Sequence, residues 1–238
     1  MKYILLYVLT IIAAKNTFGN QIVNRGDFFF QESQYDSAYY YFDLAVNNCK
    51  NCEDTTLAYI YIKKAKTLKL QEEFDSSLSL YNKALNIFSY YNHKNGVVLA
   101  QINLAEFYRT THNFDKALEQ IKKAEKLINL PSLQIKTKAY FFNRYAAILT
   151  EYQEDRALTI QYSKEAIRLA KLCGDKEIEA SSFNELGFIY KDWDYDIAFE
   201  YYFRSLEIYK ESNNIRYAAA IISNIARSDF LSAAITRA

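Results

Sequence analysis

One phrase recurs along this sequence at nearly constant intervals. Four segments open with an aromatic residue and an aspartate and continue with small and large residues in the same order. They are YDSAYYYFDLA at 35–45, FDSSLSLYNKA at 74–84, FDKALEQIKKA at 114–124 and YDIAFEYYFRS at 195–205. The interval is about 40 residues, and the last gap spans two intervals. A repeat of this length restricts the chain to a row of similar structural units.

The doubled gap predicts a further copy near residue 155. The segment EDRALTIQYSKEA stands there, at 154–166. Asp155 and Ala157 fit the phrase, but its aromatic residue is missing, and Tyr162 and Ala166 fit only after a small shift. This copy is the weakest of the five, and the sequence leaves its register open.

The spacing inside each copy is helical. Ala38, Phe42 and Ala45 stand at i, i+4 and i+7, which places them on one face of a helix. Small residues let a neighbouring helix approach, and the large one fills the gap between them. The same pattern occurs at Ser77, Tyr81 and Ala84, at Ala117, Ile121 and Ala124, and at Ala198, Tyr202 and Ser205. The aspartates Asp36, Asp75, Asp115 and Asp196 are expected to accept backbone N–H groups where each helix begins.

A second helix is predicted before each phrase. It carries a small residue and, three positions later, a large one, as in Gly26 and Phe29, Ala65 and Leu68, Ala105 and Tyr108, and Gly187 and Tyr190. Glycine inside a helix costs about 1 kcal/mol relative to alanine, so close contact with the partner helix is the expected reason for it. A single proline among 238 residues also favours long helices over many short strands.

The predicted fold is therefore all-α, with helical hairpins that bury their apolar faces by stacking on one another. A final helix, with Ile221, Ile222, Ile225, Phe230, Leu231 and Ile235, is too apolar for a usual capping helix. We expect either that something covers it or that a further domain follows. The predicted units are 20–54, 55–94, 95–131, 132–174 and 175–214, followed by the final helix at 215–238.

The first 19 residues have the pattern of a secretory signal. Lys2 precedes a mostly apolar run of twelve residues at 3–14, and Lys15 ends that run. A bilayer span needs about 20 residues. A cut between Gly19 and Asn20 would place the mature chain in the periplasm or cell envelope. The alternatives are a buried first helix or an uncleaved anchor, and retention of this segment would favour a cytoplasmic location.

These features resemble the tetratricopeptide repeat family, in a longer-period bacterial form. The resemblance is carried by Leu186, Gly187 and Tyr190 with the phrase at 195–202, and by NLAEFY at 103–108 with the phrase at 114–124. Two departures are the period of about 40 residues rather than 34 and a single proline, Pro131. The family implies a right-handed superhelical solenoid that binds a protein or peptide in a concave groove. Exported members of this type resemble sensor regions.

The groove that the resemblance implies would be lined by residues one step around from the packing face. The candidate residues are Lys66, Lys69, Glu106, Arg109, Asn184, Phe188 and Lys191. Neighbouring positions in the same stripes include Ile62 and Ile102. Their mixture of apolar, basic and acidic groups suits an extended or helical peptide. An ordinary solvated helix face is the alternative interpretation.

The expected role is a peptide-binding scaffold, with a sensor or input role in bacterial signalling as its finer form. The alternatives are a structural subunit of an envelope assembly and a cytoplasmic regulatory domain. A formal charge of +1, with no basic block, gives little support for nucleic-acid binding. No integral membrane segment is expected in the mature chain.

Neither catalysis nor a cofactor is expected from the motifs in this sequence. It contains no phosphate-binding glycine loop, no H-E-x-x-H and no G-x-S-x-G. Cys49 and Cys52 form a C-x-x-C pair in a predicted turn, without the further ligands that a zinc site needs. In an oxidising compartment they could form a local disulfide, and two unpaired thiols are the alternative.

Overall fold

The computed structural model describes residues 19–49, 54–152 and 155–235, and this part of the chain is built from eleven α-helices without any strand. Residues 1–18 of the predicted signal peptide lie outside it. The chain divides into two compact units, of which unit 1 ends at Leu104 and unit 2 begins at Ala105. The predicted fold class, an all-α helical repeat solenoid, is confirmed.

Unit 1 contains two helical hairpins and the start of a third. Helix α1 (19–31) and α2 (Tyr35–Asn48) form the first hairpin, and α3 (Asp54–Leu70) and α4 (Phe74–Tyr90) form the second. Helix α5 (Lys94–Thr110) follows, with residues up to Leu104 in this unit. In this unit α3 packs against both α2 and α4.

Unit 2 begins with the remainder of α5, and its last described helix is α11. Its further helices are α6 (Phe114–Glu125), α7 (Ile135–Tyr152), α8 (Arg156–Cys173), α9 (Lys176–Tyr190), α10 (Tyr195–Glu211) and α11 (Ile215–Ile235). Helix α7 packs against α8, and α9 packs against α10. The first helix of one hairpin, α7, also contacts the first helix of the next, α9.

The packing triplets predicted from the recurring phrase are buried. Every member of the triplets in α2, α4, α6 and α10 is at most 4% exposed. Tyr81 and Tyr202 are among the largest fully buried side chains in the described residues. The period of the phrase therefore identifies the face that each second helix turns toward its neighbours.

Two glycines in first helices allow close approach of an aromatic ring. A Cβ added at Gly26 would lie 2.5 Å from a ring atom of Phe42, and one added at Gly187 would lie 2.6 Å from a ring atom of Tyr202. Both distances are shorter than van der Waals contact allows. The prediction that these glycines serve helix–helix contact is confirmed.

The weak fourth copy has a different register from the one first suggested by the sequence. Its buried triplet is Thr159, Ser163 and Ala166, again at i, i+4 and i+7, whereas Ala157 is exposed. Asp155 is the N-cap residue, and its side chain accepts a hydrogen bond from the Leu158 backbone N–H. Small polar residues replace the small–aromatic pattern in α8, so the match to Ala157 and Tyr162 was wrong.

The phrase aspartates do not cap their helices. Asp36, Asp75, Asp115 and Asp196 stand at the second helical residue, where a negative charge still favours the positive end of the helix dipole. Two of them instead accept a hydrogen bond from a side chain of the next hairpin. Asp36 accepts one from the Gln71 amide, and Asp115 accepts one from the Tyr152 hydroxyl. The expected capping role was therefore wrong for these residues.

The final helix α11 buries only part of its apolar surface. Ile221 is buried and Ile225 packs against the core formed with α10, whereas Ile222 is about half exposed. The side chains of Phe230, Leu231 and Ile235 lie outside the described part. Among the helices described here, none combines the length and apolar character needed to span a lipid bilayer.

Candidate binding site on the first helices of unit 2

The first helices of unit 2 are joined by a line of polar side chains, which we call the polar row. Its members are Glu106 and Arg109 on α5, Asn143, Arg144 and Glu151 on α7, Ser181, Asn184 and Glu185 on α9, and Asn224 on α11. They come from successive hairpins, because equivalent positions of first helices face their counterparts in the next hairpin. The polar row is therefore a property of the repeat and not of a single helix.

An ion-pair network links α5 to α7. The Arg109 guanidinium donates two hydrogen bonds to the Glu106 carboxylate, at 2.8 and 2.9 Å, and a third to Glu151. Arg144 lies 3.3 Å from the same Glu106 carboxylate. The side chains of Glu106, Arg109 and Arg144 are only 12–18% exposed, so water screens their attraction weakly.

Hydrogen bonds continue the polar row from α7 to α9 and then to α11. Arg144 donates to the Ser181 hydroxyl at 2.8 Å and also to the Asn143 side-chain oxygen. On the next pair of helices, the Asn224 amide donates to the Asn184 side-chain oxygen at 2.9 Å. These side chains hold one another in fixed rotamers, which reduces the conformational entropy that a ligand must remove on binding.

The two arginines are held in their charged form. Burial disfavours the charge, but the attraction of Glu106 outweighs it and raises the pKa of both Arg109 and Arg144. Arg144 also lies over the ring of Tyr140, with its guanidinium carbon 5.6 Å from the ring centroid. The pKa of Tyr140 is raised chiefly by burial, which keeps its hydroxyl protonated. The positive charges of the row are therefore fixed at physiological pH.

Glu185 differs from the other members of the polar row. Within the described residues its carboxylate forms no hydrogen bond or ion pair, although it is partly buried on α9. Desolvation raises the pKa of Glu185, and the nearby charges of Arg109 and Arg144 oppose that rise without cancelling it. Because Glu185 is only partly buried and forms no hydrogen bond with the described residues, its carboxylate can accept a hydrogen bond from a ligand.

The predicted groove residues of unit 2 fall into two groups. Glu106, Arg109 and Asn184 belong to the polar row. Phe188 and Lys191 lie further along α9, and the Lys191 ammonium stands 3.5 Å from the Phe188 ring centroid, which is a close cation–π contact. The spacing of these residues therefore identified side chains that contact one another, while their role in binding stays a prediction.

Two of the predicted groove residues belong to unit 1. Lys66 and Lys69 are half-buried on α3. In the same stripes, Ile62 is 4% exposed and Ile102 is fully buried. These two isoleucines do not line an open surface, because neighbouring helices cover them. Including them among groove residues was wrong.

Sequence reasoning missed Arg144, Glu151 and Glu185. Arg144 and Glu151 stand one repeat length before Asn184 and Lys191, so extending the predicted stripe backwards would have identified both. The uncertain register of the fourth copy prevented that step. Glu185 adjoins the predicted Asn184, but its lack of a partner depends on side chains from other helices.

The cysteines offer no metal site among the residues described. Cys49 is buried at the end of α2 and is disulfide-bonded, while Cys173 is an exposed free thiol. Cys52 lies outside the described residues, so its pairing with Cys49 stays a prediction. No three His, Cys, Asp or Glu side chains of the described part are grouped as a metal ion would require.

Comparison with known proteins identifies the repeat. Residues 56–129 match the family model of the tetratricopeptide repeat. This segment therefore contains tetratricopeptide repeats. The family that the sequence resembles is thereby confirmed over α3 to α6, which includes Glu106 and Arg109 of the polar row.

Several solved structures share the fold at low sequence identity. BtubC from P. vanneervenii is 20% identical with a TM-score of 0.60, and the match covers 82% of this chain and 80% of BtubC. The Rap conjugation gene regulator of plasmid pLS20, in complex with the Phr* peptide, is 15% identical with a TM-score of 0.73, over 84% and 55% of the two chains. PlcR from Bacillus thuringiensis, in complex with the peptide PapR7 and DNA, is 10% identical with a TM-score of 0.71, over 89% and 75%.

These likenesses concern the fold alone, because all three identities are low. The chain spans little more than half the length of the Rap regulator that it matches, at 55%. No curated protein sequence matches the chain.

Proposed function

We propose that unit 2 binds a peptide or an extended protein segment along the polar row. The observation that carries this proposal is Glu185, a partly buried carboxylate that forms no hydrogen bond or ion pair within the described residues. It lies near two arginines that other carboxylates already hold. A perturbed group of this kind marks a candidate functional site. A ligand that donates an N–H or ammonium group to Glu185 would satisfy it.

A peptide carries hydrogen-bonding groups that suit the polar row. Its backbone carries alternating N–H donors and carbonyl acceptors, which carboxylate and amide side chains such as Asn184 can bond. Two of the similar structures, the Rap regulator and PlcR, were solved with bound peptides, which agrees with this ligand class. The proposed role is that of a binding scaffold without catalysis, which is the typical role of tetratricopeptide folds.

Selection of peptides tests this proposal. Random 12-residue peptides displayed on phage are selected on the wild-type chain, and the enriched peptides are synthesised with a fluorophore for anisotropy titration. We expect Glu185→Lys to weaken binding at least tenfold, since the charge-assisted hydrogen bond from the peptide to the carboxylate is lost and a repulsive charge is added. Glu185→Gln, which keeps the shape of the side chain, should weaken it less.

Glu207→Lys is the matched control, because Glu207 is an exposed carboxylate on the second helix α10. It carries the same change of charge away from the polar row, and its affinity should stay within twofold of the wild type. If Glu185→Lys and Glu207→Lys bind equally well, or if the wild type enriches no peptide, the polar row is not the binding site.

We further propose that the chain is exported, with residues 1–19 removed, and that it serves as the input part of a signalling system. The N-terminal charge, apolar run and length support export. The Rap regulator and PlcR, both similar in fold, were solved with peptides and one is described as a gene regulator, which agrees with the signalling role.

N-terminal sequencing of the protein from its native host tests the export proposal. We expect the sequence to begin at Asn20, and a soluble cytoplasmic protein that retains Met1 would contradict it. The input role is tested by reading the gene past codon 238 and its neighbours. The expected result is a coupled signalling domain or partner gene, and a stop codon without either would count against this role.

A further inference from the structure

A cleft opens in unit 2 beside the polar row. It has a volume of about 250 Å³ and lies between the C-terminal ends of α7 and α9 and the first turn of α8. Its lining residues are Leu149, Thr150, Arg156, Thr159, Phe188, Ile189 and Asp192. Phe188 follows Ser181 and Glu185 on α9 at i, i+4 and i+7, so one helix face runs from the polar row into the cleft.

The lining of the cleft is mixed, with apolar side chains at its base and polar ones around them. Leu149 and Ile189 are buried beneath it. The hydroxyls of Thr150 and Thr159 already donate to backbone carbonyls of their own chain, at Ala146 and Asp155. These hydroxyl donors are therefore engaged, and Leu149, Phe188 and Ile189 are the lining side chains that an apolar group of a ligand could contact.

The rim of the cleft is charged on both sides. Arg156 and Asp192 are exposed and form no ion pair with each other or with another described residue. The Arg156 guanidinium lies over the ring of Trp193, 5.4 Å from its centroid, and the Trp193 indole N–H donates to the Ile189 carbonyl. Trp193 therefore positions Arg156 at the rim while leaving its N–H groups available to a carboxylate.

The size of the cleft limits what it can hold. A volume of 250 Å³ is below the range of roughly 300–1,000 Å³ for pockets that bind drug-sized molecules. One large apolar side chain fits this volume, whereas a nucleotide or a second helix does not.

We propose that this cleft anchors one large apolar side chain of the bound peptide, with an acidic neighbour at Arg156 and a basic neighbour at Asp192. This inference rests on the proposed function, because the peptide reaches the cleft along the face of α9 that begins at the polar row. It adds a sequence requirement to that function: a large aliphatic or aromatic residue flanked by opposite charges.

The same selected 12-residue peptides test the anchor. We expect a large apolar residue to be enriched at one position, with acidic and basic residues near it. Thr150→Phe fills the cleft and should weaken binding at least tenfold, as expected when one large apolar side chain stays exposed to water. Thr110→Phe is the matched control, because Thr110 also ends a first helix and bonds the carbonyl four residues earlier, but is exposed.

A double-mutant cycle identifies the contact itself. Replacing the enriched apolar residue by glycine should weaken binding to the wild type at least tenfold and to Thr150→Phe much less. Selection on Arg156→Glu should lose the acidic neighbour, and selection on Asp192→Lys should lose the basic one. Circular dichroism melting confirms that each variant is folded.

The outcomes separate the two proposals. Loss of binding in Glu185→Lys with unchanged binding in Thr150→Phe would overturn the anchor and leave the polar row standing. Unchanged binding in both variants would overturn both, as would the absence of any enriched peptide. Equal losses in Thr150→Phe and Thr110→Phe would also contradict the anchor.

Discussion

The two units use charged side chains in different ways. In unit 1 the cross-helix pairs are separate, such as Lys63 with Asp27 at 2.5 Å, and both of these side chains are more than a third exposed. In unit 2 Arg109 and Arg144 share Glu106, and the three side chains are 12–18% exposed. Exposed single pairs stabilise a protein by about 0–1 kcal/mol. Where buried charges share a partner, the removal of any one of them is strongly destabilising.

This difference is not required by the packing of the hairpins. Both units use the same small–large–small packing triplets, so the hairpin itself does not require a buried network. A partly desolvated network also costs free energy to form, because its charges leave water. Its presence in unit 2, together with the unsatisfied Glu185, favours this unit as the place where ligand recognition is concentrated.

Removing one buried charge should produce the largest effect. Arg144→Met leaves Glu106 with one fewer partner and breaks the bond to Ser181, so we expect a loss of about 3 kcal/mol or more in the free energy of unfolding. Lys63→Met in unit 1 should cost under about 1 kcal/mol. Urea titration followed by circular dichroism measures both, and similar losses in the two variants would remove the distinction between the units.

Added methyl groups at the helix contact should have the next largest effect, and it should be similar in both units. Gly187→Ala forces the Tyr202 ring to move, and Gly26→Ala does the same to Phe42. Overpacking costs about 1–3 kcal/mol, and the better helix propensity of alanine returns about 1 kcal/mol. We expect a net loss of about 1–2 kcal/mol in the free energy of unfolding for each variant, measured by urea titration.

A double-mutant cycle sharpens this test. If the clash is the cause, Gly187→Ala should cost less in a Tyr202→Leu background than in the wild type. Additive losses would mean that the glycine acts through the backbone alone. A large loss in only one unit would show that the hairpin packing is not shared.

The sequence predicted the hairpin packing well because a helical period fixes which residues share a face. Ala198 and Tyr202 are buried, and Gly187 approaches Tyr202, as that period requires. The same reasoning failed for Ile102, because the period of one helix does not say which neighbouring helix covers the next face. A stripe that is open on an isolated hairpin becomes core when another hairpin stacks on it.

The site was only partly predictable for a related reason. Glu106 and Arg109 lie three residues apart on one helix, so their pairing could be inferred locally. The contact of Arg144 with Glu106 joins residues from different hairpins and depends on side-chain rotamers. The desolvation of Glu185 likewise arises from the packed assembly, so no pattern within α9 reports it.

Glu185 should make the free energy of unfolding depend on pH, and this effect should be smaller than those above. Burial raises its pKa in the folded state, so folding is favoured below the unfolded pKa of about 4.3 and that advantage is lost as pH rises through the folded value. Glu185→Gln removes this loss and should be more stable than the wild type at pH 7–8. The difference should disappear below about pH 4, as measured by urea midpoints across this range.

Asp27→Asn in unit 1 is the matched carboxylate-to-amide change. Asp27 has an ion-pair partner in Lys63, so this variant should lose up to about 1 kcal/mol at neutral pH instead of gaining stability. Opposite signs for the two variants would support the distinction between a satisfied and an unsatisfied carboxylate. If Glu185→Gln is less stable than the wild type at pH 7–8, the carboxylate has a favourable partner and the proposed binding role weakens.

The smallest predicted effects concern two buried serines in the packing triplets. Ser77 in unit 1 donates a 2.8 Å hydrogen bond to the Ala65 carbonyl on the facing helix, whereas the Ser205 hydroxyl in unit 2 has no partner among the described residues. Ser77→Ala should therefore cost about 1 kcal/mol, and Ser205→Ala should be neutral or stabilise by about 0.5 kcal/mol. Both changes remove one hydroxyl from a fully buried position, so each serves as the control of the other in urea titration. Because alanine already occupies the equivalent third position in α2, α4 and α6, a clear loss in Ser205→Ala would mean that unit 2 satisfies this hydroxyl, and that its polar interior extends from the first helices into the second.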